Sequence, residues 1–398
     1  MPPAPNSPPP ARTGRDFCAR YRAFASFSND DRIMANIENE RPGAADTDLM
    51  GHAMSILVRI AQAIALPAAA VLVALILGAI LLSLNGFNGW DVFTVMIVGV
   101  LQDTRSIAEI LLKSIPLILI GVGLCVAFRC SIWNIGAEGQ LYAGAVAATV
   151  VGVAFEGLTP WIYVPLIMVA GALAGAAWAG IAGLLKVYFR ASEIVTTIML
   201  NYIALIGTSY LVTGPLRDAA SAYPQSARLL KEAWMPRILP PTRLHIGILV
   251  AVALAIAFYI FLFRSSAGYA VRVVGINANA ARYAGINVGR NIMIAICISG
   301  GMAGLAGAFE VAGVTRRLYQ NISPGYGFEG IAVALLANNN PIGAIFSGGL
   351  FAILRSGSEL MQITAQVPQV LVSVIQGMVI LSVVAFGVYR FRSASRSQ

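Results

Sequence analysis

The chain has 398 residues, of which 58% are apolar and only 11% charged, and its mean hydropathy is +0.76. A soluble domain carries about a quarter charged residues, so this composition excludes a soluble protein and predicts that most of the chain faces lipid. The net charge of +9 does not indicate nucleic-acid binding, because the chain has no basic stripe and its arginines lie mostly at the ends of apolar runs.

Residues 1–54 differ in composition from the rest of the chain. They begin with the proline-rich stretch MPPAPNSPPP and stay mixed and polar, which is typical of an extended or disordered segment. We predict a disordered cytoplasmic leader or a start codon assigned too early, with Met50 or Met54 as the true start. The first apolar run begins near Ile56, too late for a secretory signal, and is interpreted as an uncleaved span.

Apolar runs long enough to cross a bilayer continue to residue 388. The predicted spans are 57–84, 107–128, 137–155, 162–187, 193–213, 244–263, 291–314, 328–337 joined to 341–361, and 367–388. The short pair is either two crossings or one re-entrant excursion. The predicted fold class is therefore all-α, a polytopic transmembrane helical bundle of about 8–10 spans over residues 55–390.

The arginines predict the orientation of the bundle. The linker 264–290 contains four arginines and no acidic residue, and the tail 391–398 is also basic. Such segments stay in the cytoplasm, so both termini are predicted to be cytoplasmic. The proline-containing loop 214–243 then lies outside, and we expect it to form an ordered external cap.

Small residues and one repeated motif indicate how the helices pack. Glycines four apart, in GALAG at 171–175 and GGMAG at 300–304, predict close backbone contact at either a static or a sliding interface. NIGAEGQ at 134–140 is echoed by NISPGYGFE at 321–329, five spans later. An odd offset inverts the second half of a transporter relative to the first, so we predict a two-half internal repeat with broken helices.

The polar stretch 134–140 interrupts two apolar runs. Polar groups at membrane depth persist where they face protein, water or a solute, and Gly136 and Gly139 permit non-helical backbone. Asn134, Glu138 and Gln140 are therefore candidates for a solute pathway. The alternative is that they cap two adjoining helices at the membrane edge.

Two further segments are candidates for function. Glu193, Thr197 and Asn201 recur at helical spacing in an apolar run, which predicts that they face the bundle interior; contact with a solute is open, since threonine hydroxyls can bond their own backbone. A helix within 268–288 would expose alanines and Tyr283 for docking into another protein's groove. A simple inside-positive connector would need only the arginines.

Four motifs together resemble the membrane permease of nucleoside-type ABC importers, within the branched-chain amino acid/ribose permease superfamily. They are NIGAEGQ, SEIVTTIMLNYIA, the pattern GxAxRxxGxNxxAARxxGI at 268–286, and GYGFEGIAVALL at 325–336. The resemblance covers about residues 57–388. Ribose-type relatives carry an acidic-Leu-Ser-Val-Gly stretch where this chain has 136–140, which favours nucleosides over sugars. The chain departs from the pattern at ANNNP, 337–341, where relatives more often have glycine and a basic residue.

The resemblance implies a multi-pass permease of the bacterial plasma (inner) membrane that works with other polypeptides. These are ABC ATPase subunits, a second permease subunit in a homo- or heterodimer, and an extracytoplasmic substrate-binding lipoprotein or periplasmic protein. ATP would be hydrolysed by the partner subunits, because the chain has no GxxxxGK[ST] motif and no Gly-Lys dipeptide. No cofactor or metal is expected in the chain itself, which has four cysteines, no CxxC pair and two histidines.

The candidate residues fall into two groups. Those for the substrate pathway are Asn134, Glu138, Gln140, Glu193, Thr197, Asn201, Tyr326 and Glu329. Those for the loop that would receive the ATPase's conformational stroke are Gly268, Arg272, Gly275, Asn277, Ala281, Arg282 and Gly285.

Three alternatives compete with a nucleoside permease. The first is an ABC permease for a simple sugar such as ribose. The second is an ion-coupled secondary transporter, in which Glu310, Glu329 and Glu359 relay protons inside the bundle. The third is an intramembrane hydrolase with Ser209 as nucleophile and His245 as base, which would need the two side chains within hydrogen-bond reach.

Overall fold

The computed structural model describes residues 72–73, 76–89, 94, 98–155, 157–368, 370–375, 377–379, 381–382 and 385. The predicted leader 1–54, most of the first predicted span and the basic tail 391–398 lie outside these residues. Every long element in the described part of the chain is a helix, which confirms the predicted all-α fold class.

Ten α-helices between residues 104 and 364 form the bundle. They are α1 (Thr104–Arg129), α2 (Ala137–Ala154), α3 (Pro160–Phe189), α4 (Glu193–Thr213), α5 (Gly247–Arg264), α6 (Ser266–Ile276), α7 (Ala278–Tyr283), α8 (Val288–Phe309), α9 (Tyr326–Leu336) and α10 (Pro341–Thr364). A π-helical turn, Glu310–Thr315, continues α8, and a 3-10 turn, Lys231–Ala233, lies between α4 and α5.

The observed helices agree with the predicted spans. Within the described residues, α1, α3, α4, α5 and α8 with its π-helical turn are long and apolar enough to cross a membrane. The predicted short pair consists of α9 and α10, with 11 and 24 residues. At 1.5 Å per residue, α9 extends only about 16 Å, half of the bilayer core. The short pair is therefore a half-span followed by a full-length helix.

Glycine contacts hold α3 against α8 at the centre of the bundle. A Cβ atom added to Gly175 would lie 2.3 Å from the carbonyl oxygen of Gly300, and one added to Gly304 would lie 2.3 Å from the carbonyl oxygen of Gly171. The two small-residue motifs predicted to form close contacts thus pack against each other. Contact at backbone distance leaves no room for a side chain at these positions.

Two ends of the bundle can be distinguished by their contacts. At the loop end, named for the loop 214–243, Arg243 binds Glu109 near the start of α1 through two hydrogen bonds of 3.0 and 2.9 Å. At the linker end, named for 264–290, Arg129 at the end of α1 donates to the carbonyl oxygens of Asn339 and Asn338, at 3.1 and 3.2 Å. Those two residues form the turn between α9 and α10.

The loop 214–243 packs against the segment that follows α8. The backbone N–H of Ser226 donates to the carbonyl oxygen of Leu318 at 2.8 Å. Arg317 forms an ion pair with Asp218 at 2.9 Å. The loop is therefore tied to the helical bundle by specific contacts, as expected for an ordered cap.

Candidate functional site

Two buried side-chain amides stabilise the polar break, the non-helical residues 130–136 between α1 and α2. The side chains of Asn134 and Gln140 exchange two hydrogen bonds of 2.9 Å. Asn134 Nδ2 also donates to Ser299 Oγ on α8 at 2.9 Å, and Asn134 Oδ1 accepts from the N–H of Gly136 at 3.0 Å. The free-energy cost of burying these amides is offset because they bond to one another, to Ser299 and to a backbone N–H group.

The polar face of α4 packs against the same break. Asn201 Nδ2 donates to the carbonyl oxygen of Ile135 at 2.9 Å, and Asn201 Oδ1 accepts from the N–H of Gly139 at 2.8 Å. A Cβ on Gly139 would lie 2.8 Å from the Cα of Asn201, so the contact requires glycine. The prediction that this face lies in the bundle interior is confirmed for Asn201.

Thr197 and Glu193, one and two turns before Asn201, have different environments. Thr197 is fully buried beside the break, and its hydroxyl donates to the carbonyl oxygen of Glu193 at 2.6 Å. The carboxylate of Glu193 forms an ion pair with Lys186 at 2.6 Å, at the junction of α3 and α4. Thr197 therefore lies with the amide group, whereas Glu193 lies apart from it.

The helices α2 and α9 begin side by side. The buried carboxylate of Glu138, in the first turn of α2, accepts a 2.7 Å hydrogen bond from the N–H of Gly327 in the first turn of α9. A Cβ on Gly327 would lie 2.2 Å from the backbone nitrogen of Glu138. A carboxylate at two helix N-termini is stabilised by their partial positive charges.

From this junction, α2 with 18 residues and the shorter α9 with 11 residues run to opposite ends of the bundle. Near the end of α2, the carbonyl oxygen of Gly152 accepts from the N–H of Leu230 in the 214–243 loop at 3.2 Å. The end of α9 adjoins the turn held by Arg129 at the linker end. The two related motifs therefore meet at the starts of two helices that run in opposite directions. An inverted repeat would produce this geometry. The repeat itself stays a prediction.

An ion pair connects the start of α9 to α10. Glu329 is 8% exposed and binds the guanidinium of Arg355, which lies 4.9 Å above the centroid of the Tyr326 ring. Tyr326 and Glu329, both candidates from the sequence, are thus held by a residue that the sequence analysis did not select. A signal was available, since a charged residue inside a membrane helix usually marks a functional position.

A cavity of about 290 Å³ opens at the loop end, and its lining includes Ser356, the residue that follows Arg355. Its charged lining residues are Arg105, Glu109, Lys113, Arg243 and Glu359, together with Ser356. Lys113 pairs with Glu359, and Arg243 pairs with Glu109. None of these residues was assigned to the pathway from the sequence, because residues 109 and 359 meet their partners only in the folded bundle.

The predicted coupling loop contains α6 and α7 and packs on the end of α1. A Cβ on Gly275 would lie 2.0 Å from the carbonyl oxygen of Arg129, and Ser131 Oγ donates to the carbonyl oxygen of Gly275 at 2.6 Å. A Cβ on Gly268 would lie 1.9 Å from the carbonyl oxygen of Phe261. Both glycines are therefore needed for close contact between this loop and the membrane helices.

The remaining predicted coupling residues divide into internal and exposed positions. Asn277 caps α7 by accepting from two backbone N–H groups, Ala281 is buried, and Gly285 has a φ of +77° that favours glycine. Arg272 lies over the ring of Phe263, at 5.4 Å. Asn277, Arg282 and Gly285 are all exposed. The linker residues Ile276 and Tyr283 are also exposed, by 86% and 95%.

The pair required by the hydrolase alternative forms other bonds. Ser209 Oγ accepts from Gln320 Nε2 at 2.7 Å. His245 Nδ1 accepts from the N–H of Gly247 at 3.1 Å, and its ring stacks on Phe309 with 6.0 Å between centroids. Of the three glutamates in the proton-relay alternative, Glu329 and Glu359 are ion-paired, and Glu310 is buried in the π-helical turn.

Comparisons with known proteins agree with one family. The model of the family described as "branched-chain amino acid transport system / permease component" matches residues 106–384. A guanosine ABC transporter permease of Bacillus subtilis is 36% identical over 82% of this chain and 94% of its own length.

Two further relatives are named for different cargoes. A glucose ABC transporter permease of Haloferax volcanii is 35% identical over 79% of this chain and 85% of its own length. A nucleoside ABC transporter permease of Lactococcus lactis is 30% identical over 73% of this chain and 83% of its own length. No solved structure matches the chain. The chain therefore belongs to the branched-chain amino acid transport permease family and is a membrane-spanning permease subunit of an ABC importer.

Proposed function

We propose that this permease carries nucleosides across the bacterial plasma membrane by alternating access, driven by ATP hydrolysis on separate subunits. The observation that carries the proposal is the similarity to a guanosine permease along 94% of that protein. The polar break supports it, because Asn134, Gln140 and Asn201 offer uncharged hydrogen-bonding groups, which suit a neutral ribosylated base.

A simple sugar is the second candidate cargo. The relative that transports glucose is nearly as similar, at 35% identity. Nucleosides and glucose share adjacent hydroxyl groups on a sugar ring, so a pathway that recognises hydroxyls could serve either. The amide-rich break is compatible with both cargoes.

The proposed orientation places the linker end in the cytoplasm and the loop end outside. The loop 214–243 would then meet the extracytoplasmic substrate-binding protein, and both chain termini would be cytoplasmic. The unbalanced arginines of 264–290 support this orientation. A second permease subunit, identical or different, would complete the translocation path.

The proposed coupling surface consists of the exposed residues Ile276, Arg282 and Tyr283. A push by the ATPase on α6 and α7 would reach the end of α1 through the contact of Gly275 with Arg129. Arg129 also holds the turn at Asn338, so the displacement would reach α9 and its junction with Glu138. ATP would bind only to the partner subunits, and this chain would bind no cofactor.

Uptake by cells that express the complete importer tests the proposal. Labelled guanosine, ribose and glucose should be compared in cells with and without this permease, and nucleoside uptake is expected to require the permease. ATP depletion should abolish uptake, whereas collapse of the proton gradient at constant ATP should not. Permease-dependent uptake of sugars alone, or uptake that follows the proton gradient, would contradict the proposal.

A further inference from the structure

Three polar atoms near the start of α9 have no hydrogen-bond partner among the described residues. They are Glu329 Oε2, Arg355 Nε and Ser356 Oγ, and all three are shielded from solvent. Glu329 and Ser356 are each 8% exposed. Buried polar groups are almost always hydrogen-bonded. Two of these unpaired atoms belong to one ion pair and the third to the adjacent Ser356, so together they indicate a site for a ligand.

The ion pair between Glu329 and Arg355 determines which of their atoms are left unpaired. Arg355 uses Nη1 to bind Glu329 Oε1 and Nη2 to reach the carbonyl oxygen of Pro324 at 3.4 Å, which leaves Nε free. Arg355 binds only Oε1 of Glu329, so Oε2 of this carboxylate is left unpaired. The ring of Tyr326 supports the guanidinium from below. Ser356 follows Arg355 in α10 and lines the 290 Å³ cavity at the loop end.

The free atoms define the chemistry of the ligand. A carboxylate oxygen accepts a hydrogen bond, an Nε–H group donates one, and a serine hydroxyl does either. A hydroxyl group can satisfy both kinds of partner, and two adjacent hydroxyls can satisfy all three atoms. The charges of Glu329 and Arg355 cancel, so the site favours a neutral ligand over an anion such as phosphate.

We propose that Glu329, Arg355 and Ser356 form a subsite for two adjacent hydroxyl groups of the transported solute. This inference rests on the proposed function and specifies which part of the cargo the permease recognises. Ser356 also lines the cavity at the end of the bundle that is proposed to face the binding protein. A solute that enters this cavity would therefore meet the hydroxyl of Ser356.

The test compares a riboside with its deoxy analogue in the complete importer. Guanosine and 2′-deoxyguanosine uptake are measured at saturating concentration with the wild type, Ser356→Ala and Arg355→Lys. Ser356→Ala removes only the hydroxyl, and Arg355→Lys keeps the cation beside Glu329 but removes the Nε–H group. The wild type and both variants are assayed with the same binding protein. Its preference between guanosine and 2′-deoxyguanosine therefore cancels when the uptake ratios of the variants and the wild type are compared.

The expected result is a change in preference rather than a general loss. The ratio of guanosine to deoxyguanosine uptake should fall about tenfold in Arg355→Lys, the effect of one hydrogen bond that involves a charged group, and by a smaller factor in Ser356→Ala, which loses a bond between neutral groups. Ser358→Ala is the matched control, because the hydroxyl of Ser358 lies on the same helix, is buried, and already donates to the carbonyl oxygen of Leu354.

The outcomes separate this inference from the proposed function. An unchanged guanosine-to-deoxyguanosine ratio in both variants, at wild-type amounts of permease, would overturn the hydroxyl subsite and leave nucleoside transport standing. If the wild type carries glucose and no nucleoside, the nucleoside proposal is wrong, and glucose with 2-deoxyglucose tests the subsite in the same variants. A wild type that carries neither class of solute would overturn both.

Discussion

Amides and glycines, rather than charges, hold the polar break together. The reciprocal bonds of Asn134 and Gln140 fix two short segments that would otherwise leave backbone groups unpaired in the membrane. Gly139 and Gly327 then allow α4 and α9 to approach the break at backbone distance. Each of these residues has a structural role here, and contact with the solute is a separate proposal.

Gly327→Ala should disrupt the contact between the first turns of α2 and α9. The new methyl group would lie 2.2 Å from the backbone nitrogen of Glu138, so α9 must move and the hydrogen bond to Glu138 must lengthen. We expect a loss of about 1–3 kcal/mol in stability and a large fall in uptake. Thermal unfolding of the purified protein and cellular uptake measure the two effects.

Gly349→Ala is the control for this variant. A Cβ atom at Gly349 in α10 would meet nothing within 4 Å among the described residues. This variant should therefore match the wild type in both stability and uptake. Equal behaviour of the two alanine variants would show that the close contact at Gly327 is not required.

His245 should make the stability of the protein sensitive to acid. Burial lowers the pKa of His245, in the loop before α5, from 6.5 to about 4. The unfolded chain therefore takes up a proton at higher pH than the folded chain, and stability should fall as pH drops from about 6.5 to 4, by at most about 3 kcal/mol. Melting temperatures of the wild type and His245→Gln between pH 7 and 4.5 measure this. A steeper decline in the variant than in the wild type would contradict the assignment.

The helical elements show what a single sequence can and cannot predict. The start of α2 at Ala137 and the bounds of α4 match the predicted spans, because polar or charged residues mark the ends of their apolar runs. Contacts between distant residues were not predictable. Asn134 and Ser299 are 165 positions apart, and hydropathy does not reveal which helix faces meet.

The linker was predicted incompletely for a related reason. Its motif indicated a docking helix, and the structure contains two, α6 and α7, separated by the cap residue Asn277. Arg272 and Arg282 are equivalent in the sequence pattern. Only the fold shows that Arg272 packs on Phe263 whereas Arg282 is exposed.

Charge reversal in the linker should separate these two arginines. Arg282→Glu places an acid on the exposed docking surface and should abolish substrate-stimulated ATP hydrolysis while leaving membrane insertion intact. Arg272→Glu should also reduce stimulation, but with a loss of stability, because it removes the cation–ring contacts. ATPase assays of the purified complex, with the amount of assembled complex measured in parallel, test both.

Arg264→Glu provides the comparison for charge alone. Arg264 is exposed at the end of α5 and lies outside the two linker helices. The Arg264→Glu variant should retain substrate-stimulated ATP hydrolysis close to that of the wild type. Normal uptake in both Arg272→Glu and Arg282→Glu would refute the coupling assignment.

At the scale of the whole molecule, the two ends of the bundle differ. The loop end carries the charged cavity, and the linker end carries α6 and α7, the helices proposed to contact the ATPase. Tyr223 in the loop is 76% exposed and Tyr283 in the linker is 95% exposed, so each can report which side of the membrane it faces.

Cysteine labelling at these positions should establish the orientation. In a cysteine-free background, Tyr223→Cys should react with a membrane-impermeant maleimide on intact cells, and Tyr283→Cys should react only after permeabilisation. Permeabilised cells control for the reactivity of both sites. The reverse pattern would place the linker outside and remove the proposed contact with the ATPase.

The meeting of α2 and α9 at Glu138 has an electrical consequence. Each helix N-terminus carries a partial charge of about +0.5, and the carboxylate of Glu138 lies against both. The two helix ends would therefore balance an ionised Glu138, and this junction would add little net charge to the interior of the bundle. If the cargo is the uncharged solute proposed above, its passage moves no charge across the membrane, and turnover in liposomes should generate no current.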